Sequence, residues 1–341
     1  MDVLSGIGIS GEKIVNVKLD LKDKKLLYLI GDNARTPLTK IAKKVGLSRD
    51  SVKYRINNYY KNKLIMGSRT IIDIEKLGYE SYHLFLRLRN PNIEIEKKII
   101  KEISQIPNIR SILKFYGCYD MEIALVVRDK HELDNLISNI TEIIGDNLWY
   151  YEIFEIVKNY RSGQFPLSFS KDLEIKKEIR YNKKINEIKI DKKDLELIKL
   201  IKEDATLSLI EISSKIKLSP DAVSYRLKNL EVDVIKSYNY IINYKAIGYD
   251  VHALLLNINA LNTIDEKNIS NFFNTNENIL WACKIIGKFN LIAYVCVKNT
   301  EELHNTISKI RNMFSDKIND YQTLSAHSQY KYTYAPEILF I

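Results

Sequence analysis

The sequence has few cysteines and no long apolar run. It contains three cysteines among 341 residues, Cys118, Cys283 and Cys296, and none of them has CxxC spacing. An odd number without that spacing argues against a disulfide framework or a zinc site and predicts buried free thiols. No stretch approaches the roughly 18 apolar residues of a membrane span, and the first residues, MDVLSGIGISGEK, lack the pattern of a secretion signal. We therefore expect a cytoplasmic protein with no membrane partner.

Histidine is scarce as well, and the motifs of common catalytic sites do not occur. The five histidines include no pair at equivalent positions of the internal repeat described next, which argues against a metal or haem site. We find no glycine-rich phosphate loop, HExxH motif or nucleophile elbow. We therefore expect a protein that is not an enzyme and that holds no metal and no cofactor. The histidines are His83, His131, His252, His304 and His327.

The sequence does contain an internal duplication. Residues 19–55 and 190–226 align at a separation of 171 positions, and after the loss of one residue the register continues at 170. The matched positions are mainly apolar, helix-capping and glycine positions, and Gly117 pairs with Gly287. A repeat of about 150 residues indicates two similar units in one chain.

Each unit begins with the pattern of a helix-turn-helix. In the first copy, Leu26, Leu27 and Ile30 recur at a helical period. A second helix is expected to end in a left-handed residue at Gly46, and Ser48 is placed to cap a third helix. The net charge of +9 permits a polyanionic partner such as DNA, although a modest excess of lysine more often serves solubility.

The third helix is the predicted recognition helix. Val52 and Ile56 are spaced for its buried face, so its basic side chains face outward, as a contact with the major groove of double-stranded DNA requires. The following segment, KLIMGSRTIID, predicts a β-hairpin wing with Arg69 at its tip. The DNA-binding residues expected in this copy are Arg49, Lys53, Tyr54, Arg55, Asn57 and Arg69.

Charge distinguishes the two copies. Residues 48–63 carry five cations and one carboxylate, a net charge of +4, whereas residues 219–234 carry two cations and three carboxylates, a net charge of −1. Because phosphate neutralisation drives affinity, only the first copy is expected to bind DNA strongly. In the second copy Lys217 replaces Gly46, which strains a left-handed turn and suggests a degenerate motif. Arg55 and Arg226 are equivalent, and two roles remain open for both, a phosphate contact or a structural brace.

The remainder of each unit has the order βαββαβ. In the first unit an alternating strand near residues 82–89 is followed by a helical stripe and by two strands around the turn at 117–120. A second helix and a last strand at 148–157 complete the order. This order is typical of ferredoxin-like domains. Because the helices cover one sheet face, Phe85 and Leu255 on the other face need a cover, and the second sheet is expected to supply it.

The predicted fold class is α+β, with two tandem units. We expect winged helix-turn-helix domains at 19–75 and 190–245, ferredoxin-like effector domains at 78–160 and 248–335, and a linker at 161–189. The linker is polar and rich in lysine, and we expect its basic run to be solvated. A flexible stretch of about 30 residues reaches roughly 30 Å, and a short helix within it would shorten that reach.

The run from Leu19 to Ile56, with its LDxxD start and its NAR, GLS and VxxRI segments, resembles the Lrp/AsnC family of feast/famine transcriptional regulators. The resemblance covers nearly the whole of both units and is looser in the second. It implies a winged helix-turn-helix joined to a ferredoxin-like effector (RAM) domain whose sheets pair across a dimer. It also implies a small-molecule effector, often an amino acid, near that interface.

Carried onto this chain, the resemblance implies that the turns at 117–120 and 287–290 lie next to the effector. Asn290 replaces Asp120, so the second pocket lacks that carboxylate. Most family members have one unit per chain, so we expect a homo-oligomer or an intramolecular pseudo-dimer. The expected effector-binding residues are Gly117, Tyr119, Asp120, Gly287 and Asn290.

The main hypothesis is therefore a DNA-binding transcriptional regulator that acts chiefly through its first recognition helix. The alternative is an enzyme like the siroheme decarboxylases, which are built from similar units. The strands of those enzymes carry Arg and His with an aromatic-Pro-Tyr-Asn segment, and the corresponding stretches FYGCYDMEIALVV and IIGKFNLIAYVCV do not show it. Two roles remain open for Arg87 and Arg89: they bind an anionic ligand or partner, or they lie at a solvated rim.

Overall fold

The computed structural model describes residues 17–89, 91–173, 190–259, 262–314 and 317–341. Within these ranges the chain forms two successive units with the same order of helices and strands, which confirms the predicted α+β class. No helix in the described ranges is long and apolar enough to cross a membrane.

The first unit opens with a compact three-helix domain. Asp20 and Asp23 form a capping box at the start of α1, and the Ser48 hydroxyl accepts a hydrogen bond from the Ser51 N–H at 3.1 Å at the start of α3. Gly46 ends α2 in the left-handed region with φ 70° and ψ 46°. The domain comprises α1 (Leu21–Asp32), α2 (Leu38–Val45), α3 (Arg49–Lys61) and the strand β1 (Ile65–Ile72).

A ferredoxin-like domain completes the first unit. Its elements are β2 (Glu80–Leu88), α4 (Ile93–Ser104), β3 (Ile109–Tyr116), β4 (Met121–Val127), α5 (Lys130–Ile144) and β5 (Leu148–Ser162), and the short helix α6 (Leu167–Ser170) follows. The helices α4 and α5 bury apolar stripes of isoleucine and leucine against the outer face of the sheet.

The second unit repeats this order. Its helix-turn-helix comprises α7 (Lys192–Ile201), α8 (Leu209–Ile216), α9 (Pro220–Asp233) and β6 (Ile235–Ile242). Its ferredoxin-like domain comprises β7 (Asp250–Ile258), α10 (Thr263–Thr275), β8 (Ile279–Ile286), β9 (Leu291–Val297), α11 (Thr300–Met313) and β10 (Ile318–Tyr332). A 3-10 turn at Glu337–Phe340 ends the chain.

The eight strands of the two ferredoxin-like domains form one closed antiparallel sheet in the order β10-β3-β4-β2-β5-β8-β9-β7. The first half of β5 pairs with β2 of its own unit, and the second half pairs with β8 of the other unit. In the same way, β10 pairs first with β7 and then with β3. Each unit therefore shares its last strand with the other, and the two units pair within one chain.

Each unit contributes one half of this closed sheet, and the inner faces of these halves, called the two sheets below, cover each other. Phe85 and Leu255 are both fully buried and belong to one apolar cluster that contains residues of both units. This arrangement confirms the expectation that the second sheet covers the inner face of the first. The cluster also extends into the first helix-turn-helix, so the core of the molecule crosses domain boundaries.

The predicted hairpin wing is wrong. β1 is a single strand that pairs antiparallel with β6 of the second unit, with Arg69 opposite Asn239. Arg69 is 6% exposed, and its guanidinium lies 4.4 Å from the centre of the Tyr332 ring. Because the equivalent strand of the other unit supplies the hydrogen-bonding edge, the segment does not need to fold back on itself. Arg69 is therefore buried between the units instead of exposed at a wing tip.

The expected linker at 161–189 starts too early. β5 continues to Ser162, and Phe165 and Phe169 are buried beyond it. The Phe165 ring stacks with Phe169 at 4.3 Å and lies 6.5 Å from Tyr28 of α1. These aromatic side chains attach the segment to the first helix-turn-helix. Residues 174–189, where part of the expected short helix falls, lie outside the described residues.

Candidate nucleic-acid interface

One face of α3 presents polar and basic side chains to solvent. Val52 and Ile56 are 0% and 7% exposed and hold the opposite face against the core. Arg49, Lys53 and Asn57 are exposed and follow one another at four-residue intervals, so they form a stripe along the helix. Tyr54 lies beside this stripe and is 67% exposed. The structure therefore brings four of the predicted DNA-binding residues onto one open surface.

The amino end of α3 lies next to this stripe and also favours the binding of anions. Ser48 caps the helix, and Arg49 is the first helical residue, with a side chain that is 63% exposed. The amino end of a helix carries a partial positive charge and free N–H groups that favour phosphate. Asp50 lies 4.0 Å from the Arg49 guanidinium, and its own side chain is 91% exposed. This exposed ion pair is weak, so Arg49 remains available for another anion.

The preceding helix extends the basic surface, which the sequence reasoning missed. α2 packs against α3, and its Lys40, Lys43 and Lys44 are all exposed. The equivalent positions of α8 hold Glu211, Ser214 and Lys215. The charge difference between the two copies therefore begins at residue 40, before the range 48–63, and is visible in the sequence alone.

The equivalent face of α9 has the same shape and different chemistry. Tyr225 is 68% exposed and matches Tyr54, but Pro220 and Ser224 stand where α3 has Arg49 and Lys53. The turn before α9 retains the left-handed conformation, with Lys217 at φ 56° and ψ 50°. The second helix-turn-helix therefore keeps its geometry at the steric cost of a side chain in that region, about 1 kcal/mol.

Arg55 and Arg226 occupy a structural brace, one of the two roles left open for them. A guanidinium nitrogen of Arg55 donates to Asp20 at 3.0 Å and also to Asp23. Arg226 donates to Asp191 and Asp194, at 2.8 Å in each case. The bond to Asp23 raises the pKa of Arg55 above its usual value, although burial opposes it. Both arginines thus tie the recognition helix to the first helix of the same domain.

The two helix-turn-helix domains contact each other directly. The Ser68 hydroxyl donates to Asp204 at 2.9 Å, the Thr70 hydroxyl donates to the Ile201 carbonyl at 2.6 Å, and Arg35 donates to the Ala205 carbonyl at 2.9 Å. Together with the pairing of β1 and β6, these bonds hold α3 and α9 in a fixed relation to each other.

The expected effector turns have structural roles in both units. The Asp120 carboxylate accepts a hydrogen bond from the Leu88 N–H at 2.8 Å, and the Asn290 side-chain oxygen accepts one from the Ile258 N–H at 3.0 Å. Tyr119 is 1% exposed and packs edge-on against Phe85. The replacement of Asp120 by Asn290 at the equivalent position of the second unit therefore preserves the hydrogen bond that closes the turn. Within the same turn Cys118 is half-buried, whereas Cys283 and Cys296 are fully buried as predicted.

The two turn glycines lie against the last strand of the opposite unit. A Cβ atom on Gly117 would come within 2.6 Å of a Leu324 methyl group on β10. A Cβ atom on Gly287 would overlap the Phe154 ring on β5 and lie 3.0 Å from the Ile153 carbonyl oxygen. Glycine is therefore required at both positions by the close approach of the two units.

A groove beside the first turn carries exposed aromatic rings. It has a volume of about 850 Å³ and is lined in part by Arg89, Trp149, Tyr150 and Tyr151. The Tyr150 hydroxyl donates to the Cys118 carbonyl at 2.8 Å, which joins the groove to the turn. The equivalent groove of the second unit, of about 570 Å³, has Asn319, Asp320 and Tyr321 in place of the three aromatic residues.

Arg87 and Arg89 have different surroundings. Arg87 donates to the Gly117 carbonyl at 2.5 Å and lies 3.8 Å from the Asp120 carboxylate, so it supports the turn. Arg89 is exposed at the rim of the groove. Among the residues that the structure describes, no group of three or more His, Cys, Asp or Glu side chains is placed to hold a metal ion.

Comparison with known proteins agrees with this architecture. Residues 19–59 match the AsnC-type helix-turn-helix domain, and residues 190–233 match a winged helix-turn-helix DNA-binding domain. An uncharacterised HTH-type transcriptional regulator of Pyrococcus horikoshii is 30% identical over 144 residues, which cover 41% of this chain and 96% of the relative. The regulatory protein AsnC of Haemophilus influenzae is 24% identical over 38% of this chain and 85% of its own length.

A solved structure shares the tandem arrangement. The siroheme decarboxylase NirDL superposes with a TM-score of 0.61 over 91% of this chain and 92% of its own, at 12% sequence identity, a similarity that establishes a common fold. The sequence relatives each correspond to about one unit of this chain, and one of them is matched over 96% of its length at 30% identity. The chain therefore belongs to the Lrp/AsnC family of helix-turn-helix transcriptional regulators and contains two units of that family in tandem.

Proposed function

We propose that the protein binds double-stranded DNA chiefly through α3 and regulates transcription from the bound site. The observation that carries this proposal is the difference between the equivalent faces of α3 and α9. Arg49 and Lys53 are exposed on the first, and Pro220 and Ser224 replace them on the second. Geometry is matched between the two copies, so the difference between them is one of charge.

The size of the charge difference supports an asymmetric contact. Each phosphate neutralised by Lys or Arg contributes close to one unit to the slope of log affinity against log salt concentration. Arg49, Lys53 and the lysines of α2 provide several such exposed cations on two helices that pack against each other. The face of α9 has Lys228 together with Asp221 and Glu231, which oppose its effect. In this proposal α9 contacts the DNA backbone weakly and helps to orient α3.

The proposal includes a small-molecule effector, such as an amino acid, that modulates DNA binding. The groove of the first unit supports it, because aromatic rings and Arg89 line a space that adjoins the turn at 117–120. An arginine and acidic side chains such as Glu142 at the same groove suit the two charges of an amino acid. The second groove has fewer aromatic residues and is proposed to be the weaker of the two.

We propose that the protein acts without catalysis. Its sequence relatives are named as transcriptional regulators, and this supports a regulator over an enzyme. The siroheme decarboxylase shares the fold at 12% identity, a level at which the fold alone is comparable.

The central experiment measures DNA binding at several salt concentrations. Wild-type protein is first used to enrich bound fragments from a genomic pool, and the affinity for one enriched fragment is then compared with that of the Arg49→Ala/Lys53→Ala variant. We expect the variant to lose about tenfold in affinity per side chain and to show a salt slope smaller by about two.

The matched control is Pro220→Ala/Ser224→Ala, at the equivalent positions of α9. It is expected to leave affinity and salt slope close to those of the wild type. Equal losses in both variants would contradict the asymmetry, and a lack of enriched fragments would contradict DNA binding itself. Repeating the titration with individual amino acids tests the effector, since a Trp149→Ala variant is expected to lose any response that the wild type shows.

A further inference from the structure

Three buried polar side chains meet between the two sheets. Glu122 on β4 bonds through one carboxylate oxygen to His83 on β2, and its other oxygen accepts a hydrogen bond from the Tyr294 hydroxyl on β9. The residues His83, Glu122 and Tyr294 are 5%, 4% and 9% exposed. An Arg110 nitrogen lies 3.5 Å from the remaining ring nitrogen of His83. The carboxylate is therefore satisfied only when both units are present.

The second unit surrounds this network with aromatic rings. Trp281 on β8 stacks on the His83 ring with 5.9 Å between centres and an angle of 11°, and it also lies 5.5 Å from Tyr294. Burial and the nearby Glu122 carboxylate raise the pKa of Tyr294 well above its ordinary value. The hydroxyl therefore stays protonated and acts as the donor.

The network is not reproduced at the equivalent positions of the repeat, although the fold repeats. At the repeat spacing of 170, His83 corresponds to Ala253 and Glu122 corresponds to Ile292. Tyr294 and Trp281 correspond to Ala124 and Ser111. The four pseudo-equivalent positions therefore hold small or apolar side chains, and Ser111 accepts a hydrogen bond from Gln329 at 2.8 Å. The first unit supplies the acid and the imidazole, and the second supplies the hydroxyl.

We propose that His83, Glu122 and Tyr294 form a pairing lock, a set of contacts that selects the sheet of a second unit as the partner for the sheet of a first unit. The two inner faces have the same strand order and are both largely apolar, so these features alone would also permit pairing of two first units or of two second units from different chains. The lock makes these like-with-like pairs unfavourable.

Each like-with-like pair leaves buried polar atoms without partners. In a pair of first units, each Glu122 would face Ala124 of the other and lose the bond from the tyrosine hydroxyl. In a pair of second units, each Tyr294 hydroxyl would face Ile292 and find no acceptor. An unsatisfied buried polar group lowers the pairing constant by about tenfold or more per site. The partner that fits the inner face of the first unit is therefore a second unit, in the same chain or in another copy.

Two full-length variants with complementary defects test the lock. Variant A is Tyr294→Phe. Variant B is His83→Ala/Glu122→Ile, which gives the first unit the residues found at positions 253 and 292. Each variant alone has a mismatched interface. In an A–B dimer that exchanges units, the first unit of A meets Tyr294 of B, and the two apolar faces meet each other, so both interfaces are matched.

The measurement is co-refolding from denaturant at high protein concentration, with an affinity tag on A. The amount of B captured with A is determined by mass spectrometry, and chains refolded separately and then mixed report ordinary self-association. We expect co-refolding of A and B to exceed both that background and the exchange between tagged and untagged wild type by about tenfold or more.

Stability loss alone must not produce the same result, so a second pair of variants serves as control. Ile292→Ala and Leu113→Ala remove buried apolar contacts of the inner faces without changing the three lock residues. Their co-refolding is expected to match wild-type exchange. The proposal is overturned if A and B fail to form the mixed species, whether or not each folds alone, or if the control pair forms it equally well.

Discussion

The aspartate pair at the start of each first helix engages an arginine of the recognition helix. In the first copy, Asp20 and Asp23 hold Arg55, so most of its charge is compensated within the protein. In the proposed DNA interface the positive charge therefore comes from Arg49 and Lys53 of α3 and from the lysines of α2. The same arrangement in the second copy gives Arg226 a structural role on a helix that has Pro220 where α3 has Arg49.

This brace predicts a pH-dependent loss of stability. Burial raises the pKa of Asp20, but hydrogen bonds from the Asp23 N–H and from Arg55 outweigh it, so the pKa lies below its usual value. A carboxyl group with a lowered pKa stabilises the fold above its unfolded value, near pH 4, and this stability is lost as the pH falls further. Arg55→Met is expected to lower the unfolding free energy at pH 7 by about 1 kcal/mol.

Urea unfolding at pH 7 and at pH 3 measures this effect. The difference between wild type and Arg55→Met should be smaller at pH 3, because the stabilisation that accompanies the lowered pKa of Asp20 diminishes as the pH falls below about 4. Lys53→Met, an exposed substitution on the same helix, serves as the control and should leave stability nearly unchanged at both values. An undiminished difference at pH 3 would show that Arg55 stabilises the helix by packing instead.

For single residues, the sequence predicted which side chains are buried better than it predicted which residues they contact. The stripe of Val52 and Ile56 is buried as expected, because helical periodicity alone determines which side chains face the core. Arg69 was misplaced because its surroundings come from the other unit. Glu122 was missed for the same reason, although it left a signal, since it is the sole charged residue of the otherwise apolar strand MEIALVV.

Among the strands, β5 and β10 have the largest influence on the architecture. Each is 15 residues long, and each changes partner halfway along its length, at Glu155 and at Ser325. The sequence predicted a strand only from Leu148 to Val157, because the alternating pattern weakens beyond that point. The extension to Ser162 exists because β8 of the other unit supplies its hydrogen bonds. Local pattern therefore predicted the strand, and long-range pairing determined its length.

The crossing point of these strands predicts a strong effect at a glycine. Gly287→Ala places a methyl group against the Phe154 ring and beside the Ile153 carbonyl, where β5 leaves no space. We expect it to lower the unfolding free energy by about 2–4 kcal/mol, as overpacking at a rigid contact does. Denaturant unfolding of the full chain measures the change.

Gly78→Ala separates crowding from backbone strain. Gly78 has φ +81°, and a Cβ atom there would meet nothing within 4 Å. Gly78→Ala is expected to lower the unfolding free energy by about 1 kcal/mol, the penalty for a left-handed residue with a side chain. If both substitutions cost the same, the close approach of the two units at Gly287 would have no measurable consequence.

Across the whole molecule, the two units share so many contacts that neither is expected to unfold first. One apolar cluster contains residues from both sheets and from the first helix-turn-helix, and a second joins the other helix-turn-helix to Ile72, Tyr79 and Val126 of the first unit. We therefore predict a single cooperative unfolding transition for this chain of 341 residues, although multi-domain chains often unfold in several steps.

The two tryptophans provide a probe for each unit. Trp149 lies in the first unit and Trp281 in the second, so Trp149→Phe and Trp281→Phe variants each report one unit by fluorescence. Circular dichroism of each variant reports the small difference in stability between them. After correction for that difference, both variants are expected to show the same fluorescence midpoint in urea. Separate midpoints within one variant, by fluorescence and by circular dichroism, would mean that the units unfold independently.

The joining of both units in one polypeptide also changes how mutation acts on the protein. In a homodimer every substitution appears twice, and each half must remain compatible with its own copy. Here a mutation alters one half alone, so Arg49 has no counterpart at Pro220, and His83 has none at Ala253. The two halves are free to specialise under separate selection. The DNA sequence that this protein recognises therefore does not need to be a palindrome.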